Sequence, residues 1–147
     1  TSAEFGGYYS GLDEATVERL RIFGEEIGVA FQLSDDILDI ASESIESGKT
    51  PGTDLREGIP TLPVLYALRA ADPATARLRE LVSRPLDDDD DHAEALALLR
   101  SSQALVEARA TLSAYTERAR QMLEPLPDVP ARAALATLCD IVIDRTG

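Results

Sequence analysis

Three things are scarce in this sequence, and each scarcity excludes a class of protein. No apolar run approaches the roughly 20 residues that a membrane-spanning helix needs. Cys139 is the single cysteine, so an internal disulfide is excluded and a reducing, cytoplasmic compartment is predicted. Positive charge is scarce as well: 14 Lys and Arg stand against 27 Asp and Glu, a net charge of -13. That balance argues against direct binding to nucleic acid or to anionic lipid.

What is present indicates a helical protein. The 147 residues are 44% hydrophobic, enough for one domain with a core of its own. Apolar residues recur with helical spacing, and the sequence shows no convincing strand pattern and no internal repeat. Helices are predicted over residues 14–41, 62–71, 74–83, 92–100, 103–124 and 131–142, with Asp13, Thr61 and Asp128 as N-caps. The predicted fold class is all-α, a helical bundle with short connections.

Three segments are predicted to be irregular. Residues 5–12 are rich in glycine and are interpreted as a turn between helices, because their spacing matches no phosphate-binding loop. Residues 42–60 are predicted to be a loop, because their glycines and prolines disfavour a regular element. The acidic run at 87–91 is interpreted as a solvated, mobile connection whose last members suit the N-terminus of the following helix through the helix dipole. His92, the only histidine, is assigned no role.

Three carboxylates, Asp35, Asp36 and Asp39, lie near the end of the long predicted helix in a mainly apolar segment. At about 100° per residue they fall on one face, within an arc of roughly 100°. Like charges so close repel each other, and a divalent cation such as Mg²⁺, which prefers oxygen ligands, would remove the repulsion. A solvated acidic helix face is the alternative for these residues alone. Gly24 and Gly28, earlier in the helix, predict close approach of a neighbouring helix.

The predicted loop follows directly from these carboxylates and carries two cations, Lys49 and Arg56. Metal-binding carboxylates beside basic side chains favour a diphosphate ligand. The metal would bridge the carboxylates to phosphate oxygens, and the basic side chains would neutralise the outer charges. This arrangement would let a chain of net charge -13 hold an anion.

Three blocks in this order carry a resemblance to a known family. Residues 31–39 read FQLSDDILD, residues 48–55 read GKTPGTDL, and residues 58–63 read GIPTLP. Together they resemble the second aspartate-rich region of the trans-isoprenyl diphosphate synthases (polyprenyl synthetases), whose pattern runs FQxxDDxxD, GKxxGxDL, GKxTLP. The resemblance spans most of residues 1–71. It implies the all-α isoprenoid synthase fold.

The resemblance also implies a reaction, the head-to-tail (1′-4) condensation of an allylic diphosphate with isopentenyl diphosphate by a Mg²⁺-dependent trans-prenyltransferase. This chemistry needs stabilisation of the leaving diphosphate and a dry apolar cavity around the allylic carbocation. By their place in the motif, Asp35, Asp36 and Asp39 are implied to be Mg²⁺ ligands, with Asp35 and Asp39 favoured for direct contact. Asp54 is implied to be an outer partner of a metal-bound water.

Other motif positions are implied to contact the substrate. Lys49 resembles the catalytic lysine on the allylic diphosphate, and Phe31 and Gln32 resemble residues that line the substrate site. Ile59 departs from the pattern, because many relatives have a lysine there that makes a second diphosphate contact. Arg56 is the candidate to replace that contact.

The family is about twice as long as this chain, and its first aspartate-rich region has no counterpart in the sequence. We therefore expect residues 1–147 to be the C-terminal portion of one synthase domain, inactive without the N-terminal half and usually homodimeric in the family. The alternative is a short non-catalytic homologue that binds and modulates a full-length synthase. An open reading frame upstream with another DDxxD would favour the first interpretation, and a start codon near Thr1 the second.

Overall fold

A computed structural model describes residues 2–42 and 51–146, and within these ranges the protein is helical without any strand. The all-α prediction is therefore confirmed for this part of the chain. Its α-helices are α1 (Ser2–Tyr9), α2 (Glu14–Ala41), α3 (Thr53–Glu57), α4 (Leu62–Arg69), α5 (Ala76–Val82), α6 (Asp89–Arg100), α7 (Gln103–Leu123) and α8 (Pro130–Asp144). No helix in these ranges is both long and apolar enough to cross a bilayer.

The chain divides into two compact units. The terminal unit combines Thr1–Ser34 with Thr111–Gly147, and the central unit is Asp35–Ala110. Helices α2 and α7 each contribute residues to both units. The boundary in α2 falls just before the first aspartate of the DDxxD motif.

The core of the terminal unit contains Phe23, Ala119, Leu123 and Cys139, which pack together and are almost completely buried. Burying a side chain of the size of phenylalanine stabilises a fold by about 1.5–3 kcal/mol. Burial also raises the pKa of the Cys139 thiol, the reverse of what a reactive thiolate requires. Cys139 is therefore a small buried hydrophobe.

The N-terminal segment differs in part from the prediction. Helix α1 runs through Gly6 and Gly7, so the turn before α2 is shorter than the predicted 5–12. A Cβ atom on Gly7 would lie 2.9 Å from the Cδ1 atom of Leu20, so glycine lets α1 approach α2 closely. A Cβ atom on Gly24 would lie 3.5 Å from α1, whereas at Gly28 it would have no described atom within 4 Å. The distance at Gly24 is an ordinary van der Waals contact that an alanine would also make, so the described residues show no close approach that requires glycine at either position.

The central unit corrects two further predictions. The loop predicted at 42–60 contains helix α3, so the prediction of no regular element is wrong there. The acidic run at 87–91 mostly belongs to α6, whose N-cap is Asp88; its carboxylate accepts the backbone N–H groups of Asp90 and Asp91. Acidic residues are favoured in a first turn by the helix dipole. The last members of the run thus lie at a helix start, as predicted, but the helix begins at Asp89 and not at His92, so the interpretation of residues 89–91 as part of a connection is wrong.

Helix ends show how far local sequence decides a cap. The Asp13 carboxylate accepts the backbone N–H of Thr16 at 3.0 Å, as predicted for the N-cap of α2. Val129 and not Asp128 precedes α8, with Pro130 in its first turn. Because proline lacks an N–H group and is pre-set for a first turn, it can begin this helix without a side-chain cap.

Candidate functional site

The C-terminal part of α2 has one exposed and one buried side. Phe31, Gln32 and Asp35 are exposed, at the i, i+1 and i+4 spacing that keeps side chains on one face. Ser34 and Ile37 on the other side are fully buried. The side chains of these three predicted site residues are therefore accessible on the helix.

The Asp39 carboxylate caps the N-terminus of α3. Its Oδ1 accepts the backbone N–H of Thr53 at 3.1 Å, and its Oδ2 accepts the backbone N–H of Asp54 at 3.2 Å. The backbone carbonyl of Asp39 also accepts the N–H of Gly52 at 2.7 Å. Since Gly52 occupies the N-cap position and has no side chain, a carboxylate from α2 satisfies N–H groups that would otherwise lack a partner within the helix. These contacts fix the orientation of Asp39.

Asp36 contacts the start of α4 in a similar way. Its Oδ2 accepts the backbone N–H of Leu62 at 3.3 Å. Thr61 occupies the N-cap position, as predicted, but its hydroxyl makes no cap hydrogen bond. That hydroxyl is buried without a hydrogen-bond partner among the residues described. Thr61 is thus the N-cap residue, as predicted, but the hydrogen bond to the helix start comes from the Asp36 carboxylate and not from the Thr61 hydroxyl.

The motif carboxylates do not converge on one point in the described part of the chain. An ionised carboxylate has about four lone-pair sites, and the hydrogen bonds to the start of α3 use two of them at Asp39. Within residues 2–42 and 51–146 no group of three or more potential metal ligands converges. The structure therefore brings Asp39 to the Asp54 backbone and Asp36 to α4, without gathering the three motif carboxylates around one point.

The predicted cations have different outcomes. Lys49 lies outside the described residues, and its role stays a prediction. Arg56 donates from Nη2 to the Asp89 carboxylate at 2.8 Å, so its guanidinium pairs with the acidic start of α6. Ile59, where the family pattern has lysine, is 43% exposed.

One arginine near the motif is not found by sequence reasoning. Arg145, just after α8, places its guanidinium 4.6 Å from the centre of the Phe31 ring, within the range of a cation–π interaction. Its Nη1 lies 3.4 Å from the Ser34 hydroxyl. The contacts join residues that are far apart in the sequence, so no local pattern could have indicated them.

Arg100 and His92 are likewise absent from the predicted site. Arg100 donates from Nε to the Ile40 carbonyl at 2.7 Å and from Nη2 to the Ser42 carbonyl at 2.5 Å, so it satisfies carbonyls at the end of α2. His92 is buried, and its Nε2 lies 2.8 Å from the Gly52 carbonyl. Arg100 thus holds the chain just before residues 43–50, and His92 holds it just after them.

Comparison with known proteins agrees with this architecture. The chain is 52% identical over 146 residues to a nonaprenyl diphosphate synthase of Mycobacterium tuberculosis, covering 99% of this chain and 44% of that protein. It is 44% identical over 142 residues to a dimethylallyltranstransferase of the same organism, covering 97% and 42% respectively. The chain thus spans less than half the length of these curated relatives.

Solved structures match equally well. A geranylgeranyl pyrophosphate synthase from Corynebacterium glutamicum, complexed with calcium and isoprenyl diphosphate, superposes with a TM-score of 0.90 at 40% identity, covering 98% of this chain and 45% of that one. A polyprenyl synthase from Caulobacter crescentus, complexed with the same ligands, has a TM-score of 0.85 at 34% identity, covering 98% and 44%. The Polyprenyl synthetase family profile matches residues 1–99. The chain therefore belongs to the polyprenyl synthetase family.

Proposed function

We propose that this chain is part of a trans-prenyltransferase that joins an allylic diphosphate to isopentenyl diphosphate and makes a longer polyprenyl diphosphate. The observation that carries the proposal is the DDxxD end of α2, where backbone N–H groups of α3 and α4 orient Asp39 and Asp36. The family membership and the relatives' names support the same reaction class.

The proposed cofactor is Mg²⁺, with Asp35, Asp36 and Asp39 as ligands and Asp54 as an outer partner. The donor set fits, because carboxylate oxygens suit a hard divalent cation. The N–H groups on Asp39 and Asp36 hold these ligands as outer-shell partners do in metal sites. Calcium in two related structures is consistent with a divalent cation. When bound, Mg²⁺ supplies electrostatic stabilisation of a diphosphate.

Other side chains of this protein are proposed to bind the substrate next to the Mg²⁺ site. The reaction breaks the allylic C–O bond with its electron pair leaving on diphosphate, forms a carbon–carbon bond from the isopentenyl double bond, and releases a proton. Lys49 and Arg56 are the proposed cations for the leaving diphosphate. Binding by Arg56 would compete with its pair to Asp89. Phe31 and Gln32, exposed beside Asp35 on α2, are proposed to face the substrate.

The activity is proposed to need more than these residues. The chain spans 44% of the length of its nonaprenyl diphosphate synthase relative, and we propose that it corresponds to the C-terminal portion of one domain. Phe5, Tyr8 and Tyr9 on α1 are each more than half exposed, and such apolar surface is typical of an interaction site. Homodimerisation and a cytoplasmic location stay predictions.

The proposal is tested by titrating the chain with inorganic diphosphate in a calorimeter, with and without Mg²⁺. We expect saturable binding only with Mg²⁺, and its loss in Asp35→Asn and Asp39→Asn. The matched control is Asp128→Asn, because this carboxylate lies before α8 and its side chain is 92% exposed. Equal binding with and without Mg²⁺ would contradict the proposal and favour a non-catalytic helical bundle.

A further inference from the structure

The start of α3 is held from two sides, and only one of them is the DDxxD motif. Asp39 accepts three backbone N–H groups here: that of Gly52 on its carbonyl and those of Thr53 and Asp54 on its carboxylate. On the other side, the Gly52 carbonyl accepts the N–H of Arg56 at 3.1 Å and lies 2.8 Å from Nε2 of His92. Both lone pairs of that carbonyl are therefore used.

The contact fixes the state of the imidazole. A carbonyl oxygen only accepts hydrogen bonds, so Nε2 of His92 must carry the hydrogen. The pair is buried, and a buried carbonyl deprived of a donor is destabilising. His92 thus holds the Gly52 peptide in the orientation that directs the next two N–H groups towards Asp39.

The backbone of Gly52 is shaped for this contact. Its φ is +74°, and a Cβ atom there would lie 2.7 Å from Nε2 and 3.1 Å from Cε1 of His92. The missing side chain leaves the space that the imidazole occupies. The His92 side chain therefore stabilises the Gly52–Asp54 turn both by packing against Gly52 and by the hydrogen bond to its carbonyl.

We propose that His92 is a positioning residue for the Asp39 carboxylate, acting through the Gly52–Asp54 turn. The inference rests on the proposed function in one respect, namely that Asp39 binds a metal–diphosphate group. Outer-shell partners that orient a ligand typically contribute about 10–100-fold to metal affinity. His92 stands well beyond Asp39 in the sequence, outside every motif block.

The first test needs no substitution. Nitrogen-15 NMR of the imidazole in the 147-residue chain should show hydrogen on Nε2. An imidazole protonated only on Nδ1 could not donate to the Gly52 carbonyl, and this result would overturn the proposal.

The second test compares two variants at one site. His92→Leu removes the donor, and His92→Gln retains an N–H group near the position of Nε2. For His92→Leu we expect hydrogen exchange of the Thr53 and Asp54 amides to accelerate at least about tenfold, and the Mg²⁺-dependent affinity for inorganic diphosphate to fall about 10–100-fold. His92→Gln should restore most of both properties.

A matched control separates positioning from general destabilisation. Val82→Ala truncates a buried side chain of the central unit on α5, outside the Gly52 contacts. It should lower stability and leave the diphosphate affinity unchanged. Wild-type affinity and amide protection in His92→Leu would refute the proposal, as would an equal loss of affinity in Val82→Ala.

The outcomes also separate this proposal from the proposed function. If the wild-type chain binds no diphosphate with Mg²⁺, the proposed function fails, while the imidazole NMR and amide exchange still decide whether His92 holds the turn. If the wild type binds and His92→Leu binds equally well, only the His92 proposal fails. Should His92→Leu not fold, the comparison of His92→Gln with the wild type and the NMR measurement decide the question.

Discussion

At the scale of single residues, two aspartates of the motif accept backbone hydrogen bonds, which a role as metal ligands alone would not predict. Asp36 and Asp39 accept backbone N–H groups from the starts of α4 and α3. A charged acceptor makes stronger hydrogen bonds than a neutral one. The same carboxylates therefore have a structural role in capping helices, which would exist with or without a bound cation.

Gly52 provides the sharpest prediction at this scale. Gly52→Ala should lower the free energy of unfolding by about 1–3 kcal/mol, because a non-glycine residue at positive φ is strained. Displacing His92 from the added Cβ atom should lower it further. The control is Gly11→Ala, because Gly11 has almost the same φ, +73°, and a Cβ atom there would have no described atom within 4 Å. Urea unfolding of both variants measures the difference. Equal losses would contradict the close packing of His92 on Gly52.

At the scale of elements, the acidic start of α6 is held by ion pairs from two directions. Asp91 pairs with Arg84 at 2.6 Å and with Arg77 at 3.0 Å. The Arg84 hydrogen bond, and then charge from Arg84 and Arg77, hold the pKa of the Asp91 carboxyl below its usual range. Asp91, in the acidic run at 87–91, thus links α6 to α5 through Arg77 and to the segment after α5 through Arg84.

The lowered pKa of Asp91 predicts an acid dependence with a definite sign. A carboxyl whose folded pKa lies below its unfolded pKa contributes stability above the unfolded pKa, and the contribution is lost as pH falls through the folded pKa. Asp91→Asn should therefore flatten the loss of stability at acid pH, measured by thermal unfolding at low salt. Arg84→Gln should flatten the same part of the curve, and the double variant should add little. An unchanged acid limb in both single variants would contradict the pairing.

At the scale of the whole molecule, the chain spans 44% of the length of a relative that it matches across 99% of its own residues. Its sequence resembles only the second of the two aspartate-rich regions in the family pattern. The missing part of the site is thus expected in the portion of the relatives that this chain does not span.

The 147-residue chain alone should incorporate no radiolabelled isopentenyl diphosphate into longer prenyl products. The polypeptide translated from the complete reading frame should do so, and Asp39→Asn in that polypeptide should lower kcat/KM at least about tenfold, since outer-shell changes alone typically cost that much. Turnover by the isolated chain would contradict the prediction. An inactive complete polypeptide that still alters a full-length synthase would favour the regulatory alternative.

Features that depend on neighbours within a few positions could be predicted from the amino-acid sequence. Helical periodicity predicted α2, α4, α6 and α7 to within a few residues at each end, and Asp13 was recognisable as a cap because its partner Thr16 is three residues away. The motif blocks were sufficient to predict the family that the profile match confirms. The residues of each block lie within a few positions of one another, so the pattern can be recognised in the sequence alone.

Contacts between groups that are far apart in the sequence could not be predicted and are seen only in the folded chain. Helix α3 forms inside a segment rich in glycine and proline, because Asp39 supplies the cap that Gly52 lacks. His92 and Arg100 likewise lie 40 and 60 residues from Gly52 and Ile40, whose carbonyls they contact. Such contacts depend on how the helices pack, and packing energy is distributed over many side chains. No single stretch of sequence records it.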